Sequence, residues 1–159
     1  MKIALVFSWP SVDATKGNLL SEWESKVTNE LMKQAGFTPV KQLTAYPTHV
    51  KKPASLFLGK YYTQPTMTTL AAREKLCKEL AGFDIALTMG TFAMWALTGE
   101  TKLDIFRGTH IDSPFVPGLQ VVPTYDPEVF ARKDWSARPV VLSAMRKAQS
   151  KYEDTLFDI

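Results

Sequence analysis

Asp126 is the residue whose type and setting are best suited to chemistry. It stands in the run Leu119 to Arg132, LQVVPTYDPEVFAR, where an apolar stretch suited to a buried strand breaks into Pro123-Thr124-Tyr125-Asp126-Pro127. Two prolines hold this carboxylate where strand becomes loop, so little chain entropy remains to be lost when it is used. In open α/β sheets ligands gather beyond the carboxyl ends of the strands, which is where this spacing puts it. The other reading of the same residues is a plain Asp-Pro turn.

The elements that must position Asp126 alternate along the chain. Lys2 to Phe7 reads as a buried strand, and Ser21-x-x-Glu24 has capping-box spacing at the opening of a helix. Leu20, Trp23, Val27, Leu31 and Ala35 line one face of that helix, and Gly36 stops it. Thr38 to Tyr46 suits a second strand, followed by a loop rich in proline and lysine that runs to Pro65. A helix from about Thr66 to Ala81 stops at Gly82, and Phe83 to Met89 suits a third strand. Gly90-Thr91 then opens a short helix closed by Gly99, with the Thr91 hydroxyl placed to cap it. The strand Leu119 to Val122 and the Asp126 loop precede a last helix from about Ser136 to Lys151, whose inward stripe is Val141, Ala144, Met145, Ala148 and Tyr152. The expected fold is a three-layer α/β/α arrangement around a central, mainly parallel four-stranded sheet.

Composition narrows the classes. At 159 residues and 45% hydrophobic the chain suits one domain with a real core, taken as residues 1–151 with a tail from 152 to 159. The single cysteine, Cys77, cannot form an internal disulfide, a cysteine-only zinc site or a cysteine-bound iron–sulfur cluster. The apolar start before Pro10 is too short for a secretory core or a membrane span, so the expected location is cytoplasmic, with no membrane partner. GxGxxG, GxxxxGK[ST] and HExxH are absent, and His49 and His110 lie far apart with no cluster around them, so no cofactor and no metal are expected. Ser8 lacks the elbow that exposes a nucleophilic serine.

Charge is uneven. From Leu31 to Arg73 there is no acidic residue, while Lys33, Lys41, Lys51, Lys52, Lys60 and Arg73 are basic and Tyr46, His49, Phe57, Tyr61 and Tyr62 lie among them. Lysines that neutralise phosphates, interleaved with rings that stack on unpaired bases, suit nucleic acid. For Tyr46 and Phe57 a place in the core is an equal reading.

Four stretches in order resemble the uracil-DNA glycosylase superfamily, most closely its iron–sulfur branch. Phe7-Ser8-Trp9-Pro10-Ser11 with Asp13 and Gly17 is similar to the GEAPG motif with its following acidic residue and glycine. Lys60 to Pro65 resembles the Asn-Arg-x-Pro segment before a helix, and Ile85 to Ala93 resembles VIVALGATAA. Arg107-Gly108, then Val121 to Pro127 and Arg132, resemble RG followed by VLPTYHPAxLLR. The resemblance spans nearly the whole chain, and its last stretch is the most specific. Departures fall in the pocket: the motif histidine is Asp126, the GEAPG acid falls on Ser8, the uracil-reading Asn falls near Tyr62, the stacking Phe falls on Leu19 or Leu20, and the cluster cysteines are missing.

The resemblance implies a base pocket built from Ser8, Trp9, Pro10, Leu19, Tyr62 and Thr91, with Asp13 and Asp126 as catalytic carboxylates. Thr91 or Ser8 would donate to a base carbonyl. Cleavage of a nucleoside passes through a cationic sugar and an anionic base, so a carboxylate beneath the sugar can stabilise the cation and orient water. An ionised Asp126 at the leaving base would instead oppose its charge by several kcal/mol in a desolvated pocket. A protonated Asp126, or one accepting from an amino group on another base, avoids that conflict. Phe130, beside Val129, falls where the family inserts an apolar wedge, against the plainer reading that it packs under its loop. Lys51, Lys52, Lys60, Arg107, Arg132, Lys133 and Arg138 are the expected DNA contacts.

Two functions follow as expectations: excision of a flipped uracil or modified base from DNA in repair, or a catalytically silent DNA-binding accessory of phage replication. Members of this fold occur in phage replication proteins, sometimes joined to a polymerase, so DNA, single-stranded or duplex, and a replication polymerase or other replisome protein are the implied partners. The acidic, apolar tail Tyr152 to Ile159 either docks on such a partner or frays. A nucleotide binder on a flavodoxin-like sheet ranks last, since the loop after the first strand holds only Gly17.

Overall fold

A computed structural model describes residues 2–14 and 17–157, with side chains through Gln149. The elements are β1 (Ile3–Phe7), α1 (Glu22–Ala35), β2 (Lys41–Thr44), α2 (Met67–Glu79), β3 (Ile85–Met89), α3 (Thr91–Thr98), α4 (Leu103–Phe106), β4 (Ile111–Asp112), β5 (Gln120–Thr124) and α5 (Arg138–Phe157). A 3-10 turn at Pro53–Leu56 lies between β2 and α2, and a π turn at Glu128–Lys133 and a 3-10 turn at Trp135–Ala137 lead from β5 into α5.

The sheet order is β2-β1-β3-β5-β4, with β2, β1, β3 and β5 parallel and β4 antiparallel to β5. Five strands replace the expected four. The extra edge strand pairs only Ile111 and Asp112 with β5, too short a run to show an alternating pattern. β1, β3 and most of β5 are buried throughout, as strands covered on both faces must be. Their side chains divide by parity. Ile3, Leu5 and Phe7 join Val27 and Leu31 of α1 and Val141, Ala144 and Met145 of α5 in one core. Ala4 and Val6 join Leu76 of α2 and Phe92, Ala96 and Leu97 of α3 in the other.

Local signals explain the helix ends. The Ser21 side chain accepts from Glu24 N and the Glu24 carboxylate accepts from Ser21 N, a reciprocal capping box, and Gly36 closes α1 at φ 65°. Trp23, expected inward, is 45% exposed and donates its indole N–H to the Ala131 carbonyl at 2.9 Å. Pro123 sits inside β5 without breaking the ladder. Its carbonyl accepts from Gly108 N at 2.8 Å on the side away from β3, beyond the point where β4 has ended, so the missing N–H leaves no strand partner unsatisfied. Tyr152 and the other tail side chains lie outside the described residues, so neither reading of the tail is addressed. Among the described residues no helix is long and apolar enough to cross a membrane.

Candidate nucleic-acid interface

Parallel pairing brings the carboxyl ends of β1, β3 and β5 side by side, and three hydrogen bonds lock them together. The Ser8 hydroxyl donates to the Met89 carbonyl at 3.0 Å and accepts from Ala93 N at 3.1 Å, while Gly90 N donates to the Thr124 carbonyl at 2.9 Å. Ser8 therefore supplies the cap of α3 that the sequence suggested for Thr91. The residue flanking the helix is Gly90, and it makes no side-chain cap. Gly90 lies at φ 101°, ψ 159°, a region open essentially to glycine alone. A methyl group placed there would stand 2.5 Å from the Ser8 Oγ and 3.4 Å from Asp126 Oδ2. The missing side chain is what lets the β1 and β5 turns close on one another across β3.

Asp126 lies at this junction, its Oδ1 accepting from Val129 N at 3.1 Å. Burial pushes its carboxyl above the ordinary value, with Glu128 adding to the rise and the Val129 N–H and Lys133 opposing it. Tyr62 is the neighbour that feels its charge. Burial first, and then Asp126, push the Tyr62 phenol upward, so it remains a donor. The Tyr62 ring packs 4.7 Å from Phe57 and 6.3 Å from Trp95, joining a cluster that includes Phe92, Tyr46 and Trp9.

Beside the junction a cleft of about 370 Å³ opens between the turn after β1 and the turn after β5. Trp9, Leu20 and Pro127 supply its apolar wall, and Ser11, Glu24, His49, Lys51, Glu128, Arg132 and Lys133 its polar groups. That volume lies within the range of small-ligand sites. His49 is oriented by a 2.9 Å contact between Nδ1 and the Pro10 carbonyl. Glu24 is 3% exposed, so burial works to raise its carboxyl. Hydrogen bonds from Ser11 and Ser21 and the charge of Arg132 outweigh burial and hold it below the ordinary range.

Arg132 ties the cleft together. Its guanidinium lies 2.9 Å from Asp13 Oδ2 and 3.8 Å from Glu24 Oε2, and it donates to the Ser21 hydroxyl at 3.2 Å. Asp13 is thus an exposed ion-pair partner of Arg132. Arg132, with its donors committed to three residues, positions the β5 turn against α1 and has less capacity left for phosphate.

Other expected contacts lie elsewhere. Phe130 is fully buried in the core shared by α1 and α5, so it packs under its loop and does not protrude as a wedge. The reason is the π turn, which carries residue 130 inward while Glu128, Arg132 and Lys133 stay outside. Ser8 has its one proton on Met89, which removes it as a donor to a base. Leu19 lines a separate groove along β2, and Leu20 faces the cleft in its place. Thr91 faces a separate cavity formed with Lys102, Leu103 and Asp104. Arg107 donates to the Tyr125 hydroxyl at 2.7 Å, and Arg138 stacks 3.6 Å from Trp135 while donating to the Phe130 carbonyl at 2.8 Å. Lys51, Lys52 and Lys60 are exposed, Lys51 on the cleft and Lys60 on a neighbouring cavity.

Sequence reasoning passed over Glu24, His49 and Gly90 as site residues. Glu24 carried only a capping signal and His49 only a place in a basic loop, whereas their convergence depends on the tertiary path of the loop after β2. Among the described residues, no group of three or more His, Cys, Asp or Glu side chains could hold a metal ion. No protein-family model matches the chain, and no curated protein matches it.

Proposed function

We propose that the chain is a DNA-binding relative of the uracil-DNA glycosylases, with their three-layer α/β/α fold. On this reading it receives an everted nucleotide in the cleft between the first and last strand turns, and it does not excise uracil by the family's usual route. The observation that carries the reading is the cleft itself, where Trp9 offers a ring to a base and Lys51 offers a cation to an adjoining phosphate, beside Lys133, which is paired with Glu128. Catalysis by the usual route lacks its parts here. Asp13 is neutralised by Arg132, Ser8 has spent its proton, and the residue that matches the motif histidine is Asp126, which is not among the described residues lining the cleft. Such a protein would serve replication or repair as an accessory that holds or inspects unpaired DNA.

One observation favours a second reading, in which a base is excised. Burial raises the proton affinity of Asp126, and a neutral carboxyl can donate to a departing base. Incubation with single-stranded and duplex oligonucleotides carrying uracil, hypoxanthine or hydroxymethyluracil separates the two. Binding without abasic product is expected. Abasic product from any of them would establish the second reading in place of the first, and absence of binding to every oligonucleotide would remove both.

A further inference from the structure

The segment Phe57 to Pro65 forms a tight hairpin-like projection beside the cleft. Phe57 bridges to Pro65, Leu58 N donates to the Gln64 carbonyl at 2.8 Å, and Gly59 N donates to the Thr63 carbonyl at 3.0 Å. At its tip, Tyr61, Tyr62 and Gln64 all hold left-handed backbone, with φ of 55°, 63° and 51°. Clustered left-handed backbone at residues other than glycine is costly and persists where the surrounding contacts impose it. Here those contacts are the hairpin bonds, the Thr63 hydroxyl donating to the Lys60 carbonyl at 2.6 Å, and the Tyr62 ring seated on Phe57. The consequence is a division of the two tyrosines. Tyr62 turns into the aromatic cluster, whereas Tyr61 is 88% exposed.

The exposed ring borders a cavity of about 670 Å³ whose walls are Phe57, Tyr62 and Pro53 and whose charged groups are Lys60 and Lys102, with no carboxylate among the described residues that line it. Pro53 also lines the cleft between the strand turns, so the two cavities flank one ridge, with Lys51 and Lys52 directly before it in the chain. We infer that this cavity is a second base subsite, in which Tyr61 stacks on an unpaired base next to the one held in the cleft and Lys60 and Lys102 take the flanking phosphates. The inference rests on the DNA-binding reading above and adds to it a direction for the strand, from Trp9 over Pro53 to Tyr61. A pre-set turn suits such a role, since a ring held outward by backbone geometry loses little freedom on stacking. Rings on a basic track are how single strands are held without regard to sequence.

The test is fluorescence titration of an oligothymidylate of about eight nucleotides, a length within one single-strand site. It would use the wild-type chain, Tyr61→Ala and Tyr61→Phe. Because Tyr61 is exposed, neither change touches the core. Alanine is expected to weaken binding about 5- to 150-fold, and phenylalanine, which keeps the stacking face, to restore it to within about 2-fold. Wild-type binding that Tyr61→Ala leaves unchanged overturns the second subsite while the DNA-binding reading stands. Binding lost equally in the alanine and phenylalanine variants overturns stacking as its basis. Failure of the wild-type chain to bind overturns the DNA-binding reading itself, and the subsite with it.

Discussion

At the scale of single residues, burial works to raise two carboxyls near the cleft, and their hydrogen-bond partners and neighbouring charges send them in opposite directions. Glu24 is compensated by hydrogen bonds and Arg132 and is held low, whereas at Asp126 the backbone N–H groups of Val129 and Glu128 and the charge of Lys133 do not offset burial and the Glu128 carboxylate, and it is pushed up. Stability linked to Asp126 is fully present below the ordinary carboxylate pKa and is lost as pH rises through the raised folded value. Glu24 contributes in the reverse sense, its stability being present above the ordinary pKa and lost as pH falls through the depressed folded value. Asp126→Asn keeps an oxygen for Val129 N and removes the charge. Thermal melts from about pH 4 to pH 8 should therefore show the variant gaining on wild type as pH rises, starting from near-equal melting temperatures at the acid end. A variant that instead falls behind wild type toward neutrality would mean that the ionised carboxylate is stabilised where it stands. The residues alone raised a protonated Asp126 as one alternative, but not the surroundings that decide it. The Pro-Thr-Tyr-Asp-Pro run marks a fixed carboxylate, but what surrounds it comes from Val129 on its own turn and Tyr62 from a loop 64 positions earlier.

At the scale of elements, the sheet's carboxyl edge depends on a glycine more than on any polar group. Gly90 is where β3 turns into α3, and its bare Cα admits Ser8 from β1 and Asp126 from β5. Gly90→Ala both forces a side chain into backbone geometry reserved for glycine and displaces the Ser8 hydroxyl from Met89 and Ala93. The expected cost is about 2–4 kcal/mol, read as a lower urea midpoint. Gly82→Ala is the control. Gly82 also has positive φ, 84°, but among the described residues nothing lies within 4 Å of the added methyl, so only the backbone cost of about 1–2 kcal/mol applies. Equal losses in the two variants would show that the close approach at Gly90 carries no weight. Elements with local signals were readable: the Ser21–Glu24 box, the Gly36 and Gly99 stops, and the uninterrupted apolar strands β1 and β3. Those that depend on distant partners were not. The cap of α3 comes from Ser8, more than 80 residues away, and the π turn that buries Phe130 has no periodicity of its own to announce it.

At the scale of the whole molecule, a net charge of +3 is too small to define a partner, and its placement matters more. The acid-free stretch from Leu31 to Arg73 is readable directly, and it is this stretch that contributes Lys51, Lys60, His49 and Tyr61 to the two cavities on either side of Pro53. What the stretch cannot reveal is which basic residues elsewhere are already engaged. Arg132 is held by Asp13 and Glu24, Lys133 by Glu128, and Arg107 by Tyr125, so the exposed lysines of the loop after β2 are the freer cations along the proposed strand path. Each phosphate neutralised on a single strand steepens the dependence of log affinity on log salt by about 0.7. A chain with Lys51 and Lys52 both changed to Ala should therefore bind oligothymidylate more weakly at low salt, with a slope shallower by roughly 1.4 if both lysines meet phosphate. Arg132→Gln should act differently, lowering stability by unpairing Glu24 while changing the slope by less than about 0.7. A slope unaltered in the double lysine variant, or one that flattens more in Arg132→Gln, would move the path of the strand away from the Pro53 ridge.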